Sequence, residues 1–261
     1  MTDKAASSTP ASKRTLQAFS GLGAVYRREL IAYFTTPMAY VFMAVFLLAL
    51  GVFTWEAGRF FDTARADLAP FFVWHPWLYM IFLPALAMRL WAEERAGGTD
   101  ELLFSLPVGQ AGVMFGKWLA AWTVATLTLL FTLPMWFTVN YLGATDNFAI
   151  MLAYVMSLLM AGAYLSIGAA LSALTKSQVT AFIISVTIAF VFTVAGWPLV
   201  LSGVADILGP GFAEHVANLS FLSHFEAAQR GVLEWRSVFY FVSFTGTWLL
   251  LGSLWVAGGR D

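Results

Sequence analysis

Six long apolar stretches dominate this sequence, and each is close to the roughly 20 residues that a helix needs to cross about 30 Å of hydrocarbon. They fall at residues 38–55, 74–92, 115–141, 148–174, 179–201 and 237–257. Of the 261 residues, 60% are hydrophobic and 11% are charged, so the chain cannot cover a water-facing surface. The sequence therefore predicts an all-α polytopic membrane protein with six transmembrane helices.

The residues before the first apolar stretch divide into two parts. Residues 1–15 are rich in Ser, Thr, Ala and Pro, and they predict a disordered tail because they lack the apolar side chains that a fold requires. Between residues 16 and 36, apolar residues recur at three- and four-residue spacing, which predicts an amphipathic helix lying in the headgroup plane. The transmembrane domain is then expected to occupy residues 37–261.

Basic residues indicate the orientation of these spans. Ten Lys and Arg residues fall on the side of the termini and four fall on the other side. An excess of basic residues marks the cytoplasmic side of a membrane protein, so both termini are predicted to be cytoplasmic. Near the inner ends of their spans, Arg89 and Lys117 are expected to extend their side chains to the interface.

The sequence lacks the motifs of several kinds of enzyme and transporter. The stretch from Gly109 to Lys117 is the closest string to a phosphate-binding loop, but its spacing is wrong and Trp118 stands where a hydroxyl should bind magnesium. We therefore expect no catalytic residue and no bound cofactor in this chain. Few charges lie well inside the spans, which argues against a secondary carrier with a proton relay. A net charge of -1 does not indicate a nucleic-acid partner.

Metal binding is the weaker of two interpretations of the three histidines. His75, His215 and His224 are all predicted on the outer side, with Glu214 and Glu226 nearby. No two of them are spaced four residues apart on a helix, and the chain contains no cysteine. Interfacial hydrogen bonding is therefore the preferred interpretation, and no metal site is predicted.

The inner connection at residues 93–114 is the most informative part of the sequence. Gly97 and Gly98 predict the end of the second spanning helix, Thr99 is a good N-cap, and Pro107 stops a new helix within about two turns. The residues in between are first acidic and then apolar: Asp100, Glu101, Leu102, Leu103 and Phe104. Such a short helix cannot bury its whole apolar surface against its own chain, so it is expected to dock in a groove of another protein. An ordinary interfacial loop helix is the alternative.

Two further features concern packing and the outer face. A stripe of small residues, Gly162, Ser166 and Ala170, predicts a seam where helices approach closely, either within the subunit or between subunits. The long outer connection, residues 202–236, mixes apolar and polar residues. Short helices that dip into the membrane interface are therefore expected there.

Several short motifs resemble those of a known family. The inner connection is similar to a signature of ABC-2 type permeases, with Glu93-Glu94-Arg95, Gly98-Thr99, Glu101-Leu102-Leu103 and Leu106-Pro107 in order. The motif Arg28-Glu29-Leu30, the stretch from Tyr33 to Val41, Gly116-Lys117 and residues 219–226 also resemble the gliding-motility (GldF-like) branch of that family. Order and spacing agree along almost the whole chain, from Arg28 to the last span.

This resemblance implies the membrane subunit of an ABC exporter-type complex in a bacterial inner membrane. Residues 16–36 would form an elbow helix with Arg27, Arg28 and Glu29, and residues 99–106 would form a cytoplasmic coupling helix. Two such subunits would pair, as a homodimer or a heterodimer, and a separate ATPase chain carrying ATP and Mg would bind each. Membrane lipid and an extracytoplasmic auxiliary protein are the other expected partners.

The resemblance also implies roles for individual residues. The surface that would meet the ATPase comprises Thr99, Asp100, Glu101, Leu102, Leu103 and Phe104. Support for the base of this element would come from Glu93, Glu94, Arg95, Gly98 and Pro107. Candidates for an outer gate are His224, Phe225 and Glu226. An alternative function is a non-transporting membrane anchor that transmits force or signals to an external partner.

Overall fold

The computed structural model of the protein describes residues 21–60, 67–98 and 109–258. In these ranges every regular element is helical and no strand occurs, which confirms the predicted all-α fold. The helices are α1 Leu22–Thr35, α2 Met38–Val52, α3 Ala69–Phe72, α4 His75–Ala87, α5 Arg89–Gly97, α6 Gln110–Leu130, α7 Leu133–Leu142, α8 Asn147–Ser172, α9 Gln178–Val194, α10 Pro198–Leu208, α11 Pro210–Ala217, α12 Phe221–Gln229 and α13 Trp235–Gly258, and a π-helical turn, Phe53–Ala57, continues α2.

Several helical runs are long and apolar enough to cross a membrane. Within the described residues there are five: Met38–Ala57, Ala69–Gly97, Gln110–Leu142, Asn147–Ser172 and Trp235–Gly258. The shorter helix α9 is followed by α10 after a bend of 73°. If this bent pair counts as one span, the described residues contain six spans. The chain is therefore a multi-pass membrane protein.

The predicted span at residues 179–201 is wrong at its C-terminal end, because α9 stops at Val194. Trp197 has an extended backbone, as expected for a residue that precedes a proline, here Pro198. A side chain at Gly196 would clash with the Ser220 hydroxyl, so the turn packs directly against the start of α12. The proline and this close contact together redirect the chain into α10.

The spans alternate in direction, which gives the bundle two distinct ends. We call the "elbow end" the one where α1, the C-terminal end of α5 and the N-terminal end of α6 meet. We call the "far end" the opposite one, which carries the turn at residues 143–146 and helices α10 to α12. Gly98 terminates α5 at the elbow end in the left-handed conformation (φ 66°), as its predicted role as a helix breaker requires.

Helix α8 forms the centre of the bundle and contacts α4, α6, α9, α12 and α13. Its small residues allow close approach: Gly162 packs on Trp118, and Ala170 packs on Gly252 of α13. A Cβ atom at Gly252 would lie 3.0 Å from the Ala170 Cα atom. Ser166 is fully buried as well. The predicted small-residue seam therefore lies within the subunit.

The first helix is more firmly attached than an amphipathic helix lying on a membrane surface would be. Helix α1 packs along α6 and also contacts α2. A Cβ atom at Gly116 would lie 3.0 Å from the Leu22 carbonyl oxygen and 3.1 Å from the Val25 Cβ atom. The glycine therefore lets α1 lie directly against α6. The predicted tail at residues 1–15 and the coupling helix at 99–106 lie outside the described residues.

At the far end, the short helices expected between residues 202 and 236 are present but differ in burial. Helix α12 inserts Phe221 and Phe225 into the core, and both side chains are fully buried. None of the residues of α10 is buried. The far end thus combines a core helix, α12, with a hairpin of α10 and α11 that exposes apolar residues such as Leu199 and Ile207.

Candidate functional site

A buried lysine joins three helices at the elbow end. The Lys117 side chain of α6 is 1% exposed, and its ammonium nitrogen Nζ lies 3.0 Å from Glu29 Oε1 of α1 and 2.9 Å from Glu94 Oε1 of α5. A buried charge is tolerated only when it is paired, and these two carboxylates provide the pairing. One ammonium therefore connects residues that are far apart in the sequence.

A second cation completes this arrangement. The Arg28 guanidinium nitrogen Nη2 lies 2.7 Å from the same oxygen of Glu29 and 2.7 Å from the same oxygen of Glu94. We call Arg28, Glu29, Glu94 and Lys117 the "charge cluster". Its two positive and two negative side chains balance, which is the condition under which partly buried ions remain charged.

The electrostatics favour the ionised carboxylate in this cluster. Burial by itself raises the pKa of Glu29, but the neighbouring Lys117 and Arg28 charges and their hydrogen bonds outweigh it and leave the pKa below its ordinary value. Glu29 is therefore negatively charged at neutral pH. The attraction between α1 and α6 persists throughout the physiological range.

Aromatic contacts extend the cluster along α5. Lys117 Nζ lies 5.2 Å from the centre of the Trp91 ring, within the range of a cation–π interaction. Arg89 lies over the Tyr33 ring at 5.5 Å and forms an ion pair with Glu93 at 3.2 Å. The Tyr33 hydroxyl donates a hydrogen bond to the Leu86 carbonyl oxygen at 3.1 Å. Helix α1 is thus connected to the second span by ionic and neutral contacts.

Comparison with known protein families assigns this chain to one of them. A model of the ABC-2 family transporter protein matches residues 77–257, which is more than half of the chain. The chain belongs to the ABC-2 transporter family. None of the curated proteins matches its sequence. Family membership makes it the transmembrane subunit of an ABC transporter, not itself an ATPase, and implies an ABC ATPase partner and usually a pair of permeases.

The structure brings together part of the residue set that was predicted around the coupling loop of this permease. Glu94, Arg28 and Glu29 meet in the charge cluster, whereas Glu93 pairs with Arg89 on the same helix. Arg27 is exposed. The side chain of Arg95 is partly buried, and Gly98 caps α5. The predicted ATPase-contact residues, Thr99 to Phe104, and Pro107 lie outside the described residues.

Sequence reasoning missed the role of Lys117. It was expected to extend to the interface, but the side chain is buried at 1% exposure and ion-paired. Its position just after Gly116 was the available signal, because a glycine next to a lysine on an otherwise apolar helix marks a place where another element comes close. The partners on α1 and α5 could not be identified without the packing.

The three predicted outer gate residues have different environments at the far end. His224 is 5% exposed, its Nε2–H donates to the Asn218 carbonyl oxygen at 3.0 Å, and its Nδ1 lies 2.9 Å from the Ser237 hydroxyl. Its ring stacks on Tyr240 with 4.1 Å between centres. Phe225 is buried in the core, and Glu226 is exposed. His224 therefore ties α12 to α13, which accords with the preferred hydrogen-bonding interpretation.

Burial also determines the charge state of His224. Removal from water lowers the pKa of this imidazole below its ordinary value, and the nearby Arg236 charge acts in the same direction. The neutral ring therefore persists to more acidic pH than in an exposed histidine. Across the described ranges, no group of three or more His, Asp or Glu side chains is arranged to hold a metal ion.

Proposed function

We propose that this permease couples ATP hydrolysis in a separate ATPase subunit to export or conformational work across the membrane. The coupling element in this proposal is the segment at residues 99–106, which connects α5 to α6. Within it, Thr99, Asp100, Glu101, Leu102, Leu103 and Phe104 contact the ATPase. ATP and Mg are bound by that partner chain.

The observation that carries the proposal is the pairing of Lys117 with Glu29 and Glu94. Glu94 lies four residues before the α5 cap Gly98, and Lys117 lies two turns into α6. The two helices that flank the coupling segment are therefore fastened to each other and to α1. A force applied to the segment would move three elements together rather than bend a loop.

The distribution of basic residues supports the proposed sidedness. In the sequence, ten Lys and Arg residues fall on the side of the termini and four fall on the other side. In the proposed arrangement the elbow end faces the cytoplasm of a bacterium, and the far end faces outward from the inner membrane. We further propose that the chain is of the gliding-motility (GldF-like) branch, that it pairs with a second permease, identical or related, and that an extracytoplasmic protein completes the complex.

The coupling role is tested on the complex of the permease with its ATPase. Glu101→Lys, or Leu102→Ala with Leu103→Ala, should abolish the stimulation of ATP hydrolysis by the permease while the protein remains inserted. Lys176→Glu is the matched control, because it reverses a charge in the α8–α9 connection at the same end of the bundle. Normal stimulation in the Glu101→Lys complex would reject the assignment.

Sidedness can be tested independently, because the chain contains no cysteine. A single Ser105→Cys substitution should resist an impermeant thiol reagent in intact cells and react after the membrane is opened. Ser202→Cys, on the exposed helix α10, should react in intact cells. Labelling of Ser105→Cys in intact cells would place the coupling segment on the wrong side for an ATPase.

A second function is favoured by the exposed α10–α11 hairpin. Apolar side chains such as Leu199, Ile207 and Phe212 are more than half exposed there. They suit an extracytoplasmic partner that receives force from the permease without any solute crossing. Vesicles containing the complex distinguish the two functions, since only an exporter would move a solute or lipid in an ATP-dependent way.

A further inference from the structure

Two cavities of opposite character lie side by side at the elbow end. The first, which we call the "polar cleft", has a volume of about 430 Å³ and lies between α1, α5 and α6. Among the described residues, three basic and three acidic side chains line it: Arg28, Arg89, Lys117, Glu29, Glu93 and Glu94. The second, which we call the "apolar groove", has a volume of about 420 Å³ and lies between α2 and α4. Its described lining is wholly apolar and includes Val41, Val45, Phe82 and Ala85.

The two cavities meet at consecutive residues. Met88 lines the apolar groove and Arg89 lines the polar cleft. The guanidinium nitrogen Nη1 of Arg89 lies 2.7 Å from the sulfur of Met38, another residue of the groove wall. A single molecule with a polar head and an apolar tail would therefore fit both cavities at once.

Their depth in the membrane suits the same kind of molecule. The groove is lined by the first two turns of the first span and by the last turns of α4, at positions that hydrocarbon would otherwise contact. The cleft lies where charged side chains are exposed beside the end of the spans, which is headgroup level. The occupant that matches this placement is a membrane lipid rather than a soluble compound.

The charges that line the polar cleft indicate which lipid headgroup it binds. Lys117, Glu29 and Glu94 largely satisfy one another, with side-chain exposures of 1%, 16% and 18%. The most accessible charges are those of Arg28, at 49%, and Glu93, at 55%, followed by Arg89, at 20%. Arginine carries five N–H donors, so Arg28 retains donors for a phosphate while its Nη2 binds the carboxylates. A positive and a negative group in the same cleft complement a headgroup that carries both signs.

We propose that the polar cleft and the apolar groove together bind a zwitterionic phospholipid with a primary ammonium, of the phosphatidylethanolamine class. One acyl chain lies in the groove, the phosphate contacts Arg28 and Arg89, and the ammonium contacts Glu93. This site depends on the membrane-spanning fold and does not require that residues 99–106 contact an ATPase.

A second apolar groove supplies an internal control. It has a volume of about 270 Å³ and is bounded by the stacked rings of Trp118 and Trp122 and by Phe241 and Val242. No charged residue occurs among the described residues that line it. It offers an acyl chain the same apolar surface without a partner for a headgroup, so it should not discriminate between lipids.

The first experiment compares lipids that share their acyl chains. The full-length permease, purified with its partner chains, is placed in discs of phosphatidylethanolamine, phosphatidylcholine or phosphatidylglycerol, and the lipids retained after detergent washing are counted by native mass spectrometry. Retention of phosphatidylethanolamine should exceed that of the other two by about two- to fivefold, the range expected for one exposed charge contact. A quaternary ammonium cannot donate a hydrogen bond to Glu93, and phosphatidylglycerol has no cation. Equal retention of the three lipids, or preference for phosphatidylglycerol, would overturn the proposal.

Substitutions then separate the two parts of the site. Ala85→Phe fills the apolar groove and should remove the retained lipid, whereas Val242→Phe in the second groove should leave it in place. Glu93→Gln, at an exposed position, should leave lipid bound but abolish the preference for the primary over the quaternary ammonium. Retention of that preference in Glu93→Gln would contradict the assigned head contact. Displacement of the lipid by glycerophosphoethanolamine alone would show that the cleft binds a soluble compound, and would also overturn the proposal.

Discussion

The two ends of this bundle are held together by different forces. At the elbow end, one buried ammonium and one guanidinium join two carboxylates on three helices, through contacts of 2.7 to 3.0 Å. Among the described residues of the far end, no ion pair joins two elements, and the contacts are neutral hydrogen bonds and ring contacts. The Tyr164 hydroxyl lies 2.6 Å from Thr193 Oγ1 and 3.1 Å from the Pro76 carbonyl oxygen, and Ser220 donates to the Thr193 carbonyl oxygen at 3.1 Å.

The difference determines how each end responds to a single change. Removal of Lys117 leaves one guanidinium to compensate two largely buried carboxylates, and the cost of the unbalanced charge is several times the value of a neutral hydrogen bond. At the far end, many aromatic and hydroxyl contacts hold the helices together, so each contact contributes little to the stability of the folded protein. The elbow end should therefore respond as a unit, whereas the far end should lose contacts one at a time.

The largest effect is expected from Lys117→Met. This change leaves Glu29 and Glu94 facing each other without the ammonium, and should destabilise the folded protein by about 3–5 kcal/mol. Thermal unfolding of the purified permease measures the loss. Lys176→Met is the matched control, because that lysine is exposed in the α8–α9 connection and should have little effect. If the two variants unfold alike, the elbow end is not held by the charge cluster.

A smaller effect is expected at the far end from Tyr164→Phe. The substitution keeps the ring in the core but removes the hydroxyl that Thr193 and Pro76 contact, so the stability should fall by about 1–2 kcal/mol. Denaturation curves of this variant can be compared with those of Tyr141→Phe, whose side chain is 92% exposed. A loss as large as that of Lys117→Met would erase the contrast between the two ends.

The smallest effect is a difference in acid sensitivity. The pKa of His224 lies below its ordinary value of 6.5. Just below pH 6.5 the unfolded state therefore binds more protons than the folded state, and the stability of the far end falls as the pH drops. The pKa of Glu29 lies below its ordinary value of 4.5, so its contribution is fully present above that value and is lost at lower pH. The far end should therefore loosen first on acidification.

Hydrogen exchange of the backbone amides of α12 and α1, corrected for intrinsic rates, measures which end loosens first. His224→Gln should remove the loss of protection in α12 as the pH falls below 6.5, and His215→Gln, at an exposed position of α11, should not. Glu29→Gln should make α1 insensitive to acid below pH 4.5. Simultaneous loosening of both ends would mean that the two regions are a single cooperative unit.

Much of the candidate site could be predicted from local patterns, but its connections could not. Arg28, Glu29 and Glu94 were selected from motifs in the sequence, and the structure places all three in one cluster. Glu93, selected in the same way, turns instead toward Arg89 on its own helix. The motif could not separate these neighbours because the rotation of α5 against α1 and α6 decides which of them faces inward.

The sequence by itself determined that this chain is helical and membrane-spanning, because the length of an apolar run and the scarcity of charge act locally and need no knowledge of neighbours. It also determined where α5 ends, since Gly98 adopts a left-handed conformation that other residues resist. Only the tertiary structure decided that Lys117 is buried, that the small-residue seam lies within the subunit and that the chain bends after Val194. Each of these depends on which distant helix lies alongside, and that is settled by packing over the whole bundle.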